Sequence, residues 1–243
     1  LRDKFPIKFD DGTSKHIYFL SDDSNKNCYQ VTNQITVDHR DHNGRTSRFD
    51  VTLLVNGLPL VQIELKKRGM EIAEAFNQTL RYTREAYWAG QGLFSFIQLF
   101  IISNGVNTRY YSNGTQHIDF SFPWADVNNK NINEIVDFTE AFLNQNHLTA
   151  MLTQFMVLYE SSKTLMVLRP YQIYAVQGIV HHAKTSERNG YIWHTTGSGK
   201  TLTSFKASQI MMQMPDVTKV LFVVDRNDLD TQTSKEFNAF KED

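Results

Sequence analysis

Residues 48–66 read Arg-Phe-Asp-Val-Thr-Leu-Leu-Val-Asn-Gly-Leu-Pro-Leu-Val-Gln-Ile-Glu-Leu-Lys. Two apolar, β-branched runs flank Asn56-Gly57, the dipeptide that closes tight hairpins because both of its residues tolerate positive φ. The spacing predicts strands over 49–55 and 60–66. Side chains alternate along a strand, so Glu64 and Lys66 share one face and Ile63 and Leu65 the other. Whether Asp50 joins Glu64 depends on the turn. A two-residue loop pairs Val55 with Leu58 and sets Asp50 against Ile63, on the wrong face. A three-residue loop ending in a glycine bulge at Gly57 pairs Leu54 with Leu58 and Asp50 with Gln62. Asp50 is then the diagonal neighbour of Glu64, roughly 7–8 Å away. One residue of register decides the chemistry, and the reading favours the bulged turn.

Two carboxylates on one sheet face with a lysine beside them suit Mg²⁺, a hard cation that takes one or two carboxylates and completes its shell with water and phosphate oxygens. Asp50 and Glu64 are the expected ligands. Lys66 is placed to orient or help deprotonate a water attacking a phosphodiester. Spacing alone leaves a second reading open, a half-exposed hairpin with a surface Glu/Lys pair.

Outward from the hairpin, further strands are expected over 34–38, 98–103 and 108–111, the last returning through Asn104-Gly105. A helix is expected over about 71–89, and two more over 133–145 and 149–158 after a polar loop at 128–133. Arg40, Arg45 and Arg48, and separately Lys66, Lys67 and Arg68, form basic clusters able to meet phosphates. The rhythm then changes. A helix begins near Pro170, a strand over 190–193 enters a glycine-rich loop, and a helix leaves it over 200–212. A buried strand over 220–224 and a helix from about Asn227 follow. That order is the opening of a parallel α/β nucleotide-binding domain. The boundary falls at about 145–165, giving domains 1–150 and 151–243.

The loop itself reads His-Thr-Thr-Gly-Ser-Gly-Lys-Thr over 194–201. Thr196, Gly197, Ser198 and Gly199 offer backbone N–H groups to the phosphates of ATP, Lys200 reaches the β and γ groups, and Thr201 offers its hydroxyl to Mg²⁺. His194 stands where the usual first glycine would be. Hydrolysis also needs a downstream acidic strand. Only 42 residues follow Thr201, and no Asp-Glu cluster after an apolar strand occurs among them. The expectation is therefore half of an ATPase site, without its Walker B strand.

A chain of 243 residues, 41% hydrophobic and 21% charged, can bury a sizeable core in one or two domains. The net charge of −1 does not favour a stand-alone nucleic-acid binder. Cys28 is the only cysteine, which excludes an internal disulfide and suits a reducing cytoplasm. No apolar stretch reaches the length of a membrane span. The chain opens on Leu1 in structured-looking sequence, as a piece trimmed at both ends would.

Asp50 followed fourteen residues later by Glu64-Leu65-Lys66 resembles the PD-(D/E)xK nuclease pattern, although Arg48-Phe49 rather than a proline precede the aspartate. Gln78-Thr-Leu-Arg-Tyr82 resembles the Gln-x-x-x-Tyr element in the helix after the catalytic strand of type I restriction nucleases. Leu168-Arg-Pro-Tyr-Gln172 is similar to the adenine-recognising segment of superfamily 2 helicases, and 223–232 to their next motif. In this order the motifs resemble the restriction (HsdR, or R) subunit of type I restriction–modification enzymes, over about 33–232. The resemblance implies a PD-(D/E)xK nuclease domain followed by the start of a RecA-like P-loop domain. It implies Asp50 and Glu64 on Mg²⁺, Lys66 assisting the water, Gln78 and Tyr82 placing DNA or bracing the site, and Gln172 reading adenine. It further implies Mg²⁺- and ATP-dependent cleavage of unmodified double-stranded DNA coupled to translocation. The partners would be methylation and specificity subunits in a bacterial or archaeal cytoplasm, with no membrane. Two rivals fit the same residues: a helicase or remodelling translocase whose N-terminal domain grips DNA without cutting it, and a docking module.

Overall fold

The computed structural model describes residues 5–38, 46–83, 92–223 and 236–240. It is a mixed α/β protein that divides into two compact units. One comprises the residues up to Trp124 together with Ile132–Gln154, the other Ala125–Asn131 together with the residues from Phe155 onward.

The first unit opens with a small antiparallel hairpin, β1 (Phe5–Lys8) and β2 (Ser14–Ile17). Its centre is a five-stranded sheet formed by β3 (Tyr29–Asp38), β4 (Thr46–Val55), β5 (Leu58–Leu65), β6 (Leu99–Ser103) and β7 (Thr108–Ser112), in that spatial order. Only β5 and β6 run parallel, and a parallel pair needs a crossover. The helix α1 (Ile72–Tyr82) lies in that connection. Its buried residues Ala75, Phe76, Thr79 and Tyr82 fall on one side of a 3.6-residue repeat and pack on Phe49, Phe100, Ile102 and Tyr111. The expected helix is thus observed to Tyr82, and the rest of its predicted span lies outside the described residues.

The other sheet face is closed by aromatic residues. The two-residue strands β8 (Trp124–Ala125) and β9 (Asn131–Ile132) bracket a loop, and α2 (Ile135–Phe142) and α3 (Gln145–Thr153) follow. Phe138 and Phe142, four residues apart on α2, stack at 4.8 Å, and Phe142 lies 4.7 Å from Tyr110 of β7. Asn144 caps α3 by accepting the His147 N–H. His147 sits 4.5 Å from Trp124 and 5.1 Å from Phe142, and burial pushes its imidazole pKa down to about 4.

In the second unit β10 (Met156–Tyr159) and β11 (Thr164–Val167) form an antiparallel hairpin where the sequence reading places the end of a helix. The correction has a local cause. Gln154 N–H closes α3 on Ala150, and the run Met156-Val-Leu-Tyr159 that follows has the β-branched and aromatic make-up of a strand. The helices are α4 (Pro170–Thr185) and α5 (Lys200–Met211). Lys206 of α5 is buried at 2% exposure, and its ammonium donates to the Met156 carbonyl at 2.9 Å and to Gln209 Oε1 at 2.7 Å.

Two expected strands are not formed. Residues 190–193 and 220–223 carry no strand, with Tyr191, Trp193 and Val223 each 88% exposed. A strand exists only in a ladder, and neither segment has a ladder partner among the described residues. Residue 224 and the helix expected from Asn227 fall outside the described residues, apart from a helical stretch over 236–240. No helix among the described residues is long and apolar enough to cross a membrane.

Candidate metal and nucleotide sites

The favoured three-residue turn with a glycine bulge is not formed; the hairpin closes through the two-residue alternative. Asn56 (φ 54°) and Gly57 (φ 81°) make a two-residue turn with both φ positive, and Val55 pairs with Leu58. The bulge lies further along instead. Leu54 pairs with Pro59 but Leu53 with Val61, so Leu60 is the extra residue. Pro59, which has no N–H to give a ladder, sits beside it. After the bulge Thr52 faces Gln62 and Val51 faces Ile63, a register that, carried one residue further, would bring Asp50 opposite Glu64; the Asp50 carboxylate is close enough to Glu64 to raise its pKa. The two carboxylates are neighbours, although not through the register that the sequence reading favours. A turn-centred reading missed this because the register changes inside the strand, at a leucine that looks like any other.

Glu64 is buried to 0% exposure. Lys66 Nζ donates to its Oε1 at 3.0 Å, while Oε2 is buried without a partner among the described residues. Asp50 Oδ2 accepts the Leu65 N–H at 2.9 Å. Burial pushes the Glu64 pKa up to about 7; Lys66 pulls it down and the neighbouring Asp50 raises it further. A buried carboxylate oxygen left without a donor costs about 1–3 kcal/mol or more unless something positive meets it. The donor set therefore fits a hard divalent cation held by Asp50 and Glu64. Among the described residues no group of three or more His, Cys, Asp or Glu gathers to hold a metal, here or elsewhere, so the candidate rests on this carboxylate pair.

The helical pair Gln78 and Tyr82 turns toward this site. Lys66 Nζ donates to Gln78 Oε1, Gln78 Nε2 donates to the Tyr82 hydroxyl, and that hydroxyl donates to the Arg48 carbonyl at 2.9 Å. Positions i and i+4 of α1 thus tie the lysine on β5 to the strand that carries Asp50. Of the two roles read from sequence, bracing is the one these contacts describe. Sequence reasoning did not find the Arg48 carbonyl, since a backbone acceptor leaves no residue-type signal. Arg40 and Arg45 lie outside the described residues, and Arg68 pairs on the surface with Glu134 at 2.8 Å.

The glycine-rich loop precedes α5 as expected. Gly197 (φ 76°) and Gly199 (φ 79°) take left-handed backbone, and a Cβ on Gly199 would clash with Gln172 Nε2. Lys200 Nζ donates back to the Thr195 carbonyl at 3.0 Å. Thr201 lies in the first turn of α5. Thr196 is exposed, and Ser198 Oγ donates to the Thr195 carbonyl at 2.7 Å. Gln172, expected to face adenine, is 4% exposed and engaged on both sides of its amide. Oε1 accepts the Arg169 N–H at 2.9 Å, and Nε2 donates to the Ser198 carbonyl at 3.1 Å. Tyr171 donates to the same carbonyl at 2.8 Å. The start of α4 is therefore fastened to the loop, with one lone pair of Gln172 Oε1 left to accept.

Comparison with known proteins gives one family match over each part of the chain. A family model described as type I restriction enzyme R protein N terminus matches residues 2–117, and one described as SWI2/SNF2 ATPase matches residues 171–243. A type I restriction enzyme endonuclease subunit of Staphylococcus saprophyticus is 52% identical over 99% of this chain and 25% of its own length. The EcoprrI endonuclease subunit of Escherichia coli is 44% identical over 73% of this chain and 57% of its own. A putative type I restriction endonuclease subunit of Methanocaldococcus jannaschii is 26% identical over 88% of this chain and 23% of its own. The chain spans about a quarter of the length of the staphylococcal relatives it matches.

Proposed function

From the premise that this chain belongs to the type I restriction enzyme R-protein family, we propose that its first unit is a PD-(D/E)xK-type endonuclease domain acting on unmodified double-stranded DNA. The observation that carries the reading is the buried Glu64 beside Asp50, with one carboxylate oxygen unpartnered among the described residues and the other held by Lys66. Asp50 and Glu64 would hold Mg²⁺. When bound, the ion supplies Lewis-acid stabilisation of charge on the phosphodiester and acidifies a nearby water. The chain's own residues do the positioning. Lys66, donating to both Glu64 and Gln78, has a third N–H for the attacking water, and so orients it rather than abstracting its proton. Gln78 and Tyr82 hold Lys66 and the Asp50 strand at a fixed separation.

The second unit, in this reading, opens a RecA-like motor lobe. The backbone of 196–199, Lys200 and Thr201 receive the phosphates and Mg²⁺ of ATP, and Gln172 accepts from the adenine amino group while keeping its hold on the loop. The assembled, cytoplasmic enzyme couples translocation to cleavage and takes its recognition site from methylation and specificity partners. The domains divide near residue 150.

The test is cleavage of unmodified circular DNA by the full-length subunit reconstituted with those partners, with ATP and Mg²⁺. Asp50→Ala is expected to abolish cleavage and leave ATP turnover at the wild-type rate. Cleavage retained by Asp50→Ala would mean that the hairpin is structural, as in a translocase that grips or docks without cutting.

A further inference from the structure

We infer that Gln34 is a positioning residue for the candidate metal site, a role that rests on the nuclease reading above: its left-handed backbone turns two paired strands over at Asp50 and so delivers the Asp50 carboxylate to Glu64. The argument starts from which residues face α1. Thr52 pairs with Gln62 and donates to its Oε1 at 2.8 Å, and Gln62 pairs with Phe100. Phe100 stacks on Tyr111, which lies 5.0 Å from Phe76 of α1. Residues paired across a ladder share a face, so Thr52 stands on the α1 side of the sheet. Phe49 stands there too, fully buried and 4.9 Å from Tyr82 of α1. Strict alternation would put residues 49 and 52 on opposite faces. β3 repeats the anomaly, since Ile35 pairs with Phe49 and packs on the same core while Thr32 pairs with Thr52. Each strand therefore turns over once in this interval.

The place of the turn-over is fixed by the pairing. Between the pairs Asn33–Val51 and Ile35–Phe49 lies one residue on each strand, Gln34 and Asp50. Gln34 takes φ 53°, whereas the other non-glycine residues of positive φ among the described residues, Asn56, Asn129 and Lys163, lie in loops that join paired strands. A left-handed residue lacks the extended geometry that alternates side chains, so one is enough to reverse a strand's faces. Such irregularities gather beside active sites, where they re-aim a side chain. Here the re-aimed residue is Asp50. The β4–β5 pairing runs as far as Val51 and Ile63, and the Leu65 N–H beyond it donates to Asp50 Oδ2 at 2.9 Å rather than to a β4 carbonyl. Gln34 itself is exposed, so the site draws on its backbone and not on its amide.

The test measures Mn²⁺ affinity of the nucleotide-free full-length subunit and single-turnover cleavage by the reconstituted enzyme, with Asp50→Ala run beside the variants. Gln34→Gly and Gln34→Asn, which enter the left-handed region readily, are expected to keep at least wild-type affinity and cleavage. Gln34→Val, whose branched Cβ resists positive φ, should lose about 10-fold in Mn²⁺ affinity and slow cleavage in step, with ATP turnover unchanged. Should valine prevent folding, Gln34→Ala takes its place. Alanine and glycine differ chiefly in the backbone they allow, and glycine should bind Mn²⁺ about 3- to 5-fold more tightly. A merely structural role would lower the unfolding temperature of the valine variant without moving the affinity of the folded protein. With Asp50→Ala inactive, wild-type affinity and cleavage in Gln34→Val, or in its absence alanine matching glycine, would overturn this inference alone. So would a loss in Gln34→Gly, which would place the role in the amide. An Asp50→Ala enzyme that binds Mn²⁺ and cuts DNA as wild type does would overturn the nuclease reading on which the inference stands.

Discussion

Glu64→Gln is expected to make the metal-free protein more stable at pH 8 by up to about 3 kcal/mol while reducing cleavage on the order of 10³-fold. Both effects come from one buried charge. The folded-state pKa of Glu64 is raised to about 7, above its unfolded value near 4.5. A carboxyl shifted this way contributes stability that is fully present below about pH 4.5 and is lost as pH rises through about 7. The span of roughly 2.5 units corresponds to about 3 kcal/mol. Glutamine keeps the shape of the protonated acid and escapes the loss. The two proteins should therefore have equal unfolding free energies near pH 4 and diverge as pH rises, which urea titrations at several pH values would read. Cleavage falls because an amide oxygen is a far weaker ligand for a divalent ion than a carboxylate, and several kcal/mol of charge stabilisation goes with it. A variant less stable than wild type at pH 8 would show that the charge is fully compensated by Lys66 and is not held in reserve for a metal.

Phe142→Ala should destabilise the first unit by about 3–5 kcal/mol, a figure typical of a fully buried aromatic ring lost from a packed core. Phe142 is 0% exposed and lies between 4.7 and 5.3 Å from the rings of Tyr110, Phe138, His147 and Trp124. Its removal opens a cavity that four ring neighbours cannot jointly close. The side chain stands on the sheet face opposite α1, so the effect should appear in thermal unfolding, with residual cleavage tracking the folded fraction. A loss under 1 kcal/mol would mean that α2 is not the lid of this core.

What was legible in the sequence divides along physical lines. Strands with strong alternation, the helix bearing Gln78 and Tyr82, the start of α4 at Pro170 and the start of α5 at Lys200 were all readable, because local periodicity and capping chemistry specify them. Asp50 and Glu64 were readable as residues, but their pairing was not. The bulge at Leu60 is a property of two strands in contact, and a run such as Leu-Pro-Leu-Val fits more than one register. The hairpin at 156–167 was hidden by the apolar make-up its first strand shares with a buried helix. The segments 190–193 and 220–223 failed in the other direction, since their strand-like composition needs a ladder that composition cannot supply. For Gln172 the residue type was informative and its hydrogen bonds were not, because a glutamine amide serves a helix start and a loop as readily as a base.

The central claim is that Asp50 and Glu64 together form a divalent-cation site. The most direct measurement is Mn²⁺ binding by the nucleotide-free protein at pH 8, followed by electron paramagnetic resonance, in wild type, Asp50→Ala and Glu64→Gln. The account predicts one bound ion in wild type that either substitution removes, with release of about half a proton per ion when binding is repeated at pH 7, where Glu64 is half protonated. Equal binding by all three proteins, or none by wild type, would contradict it.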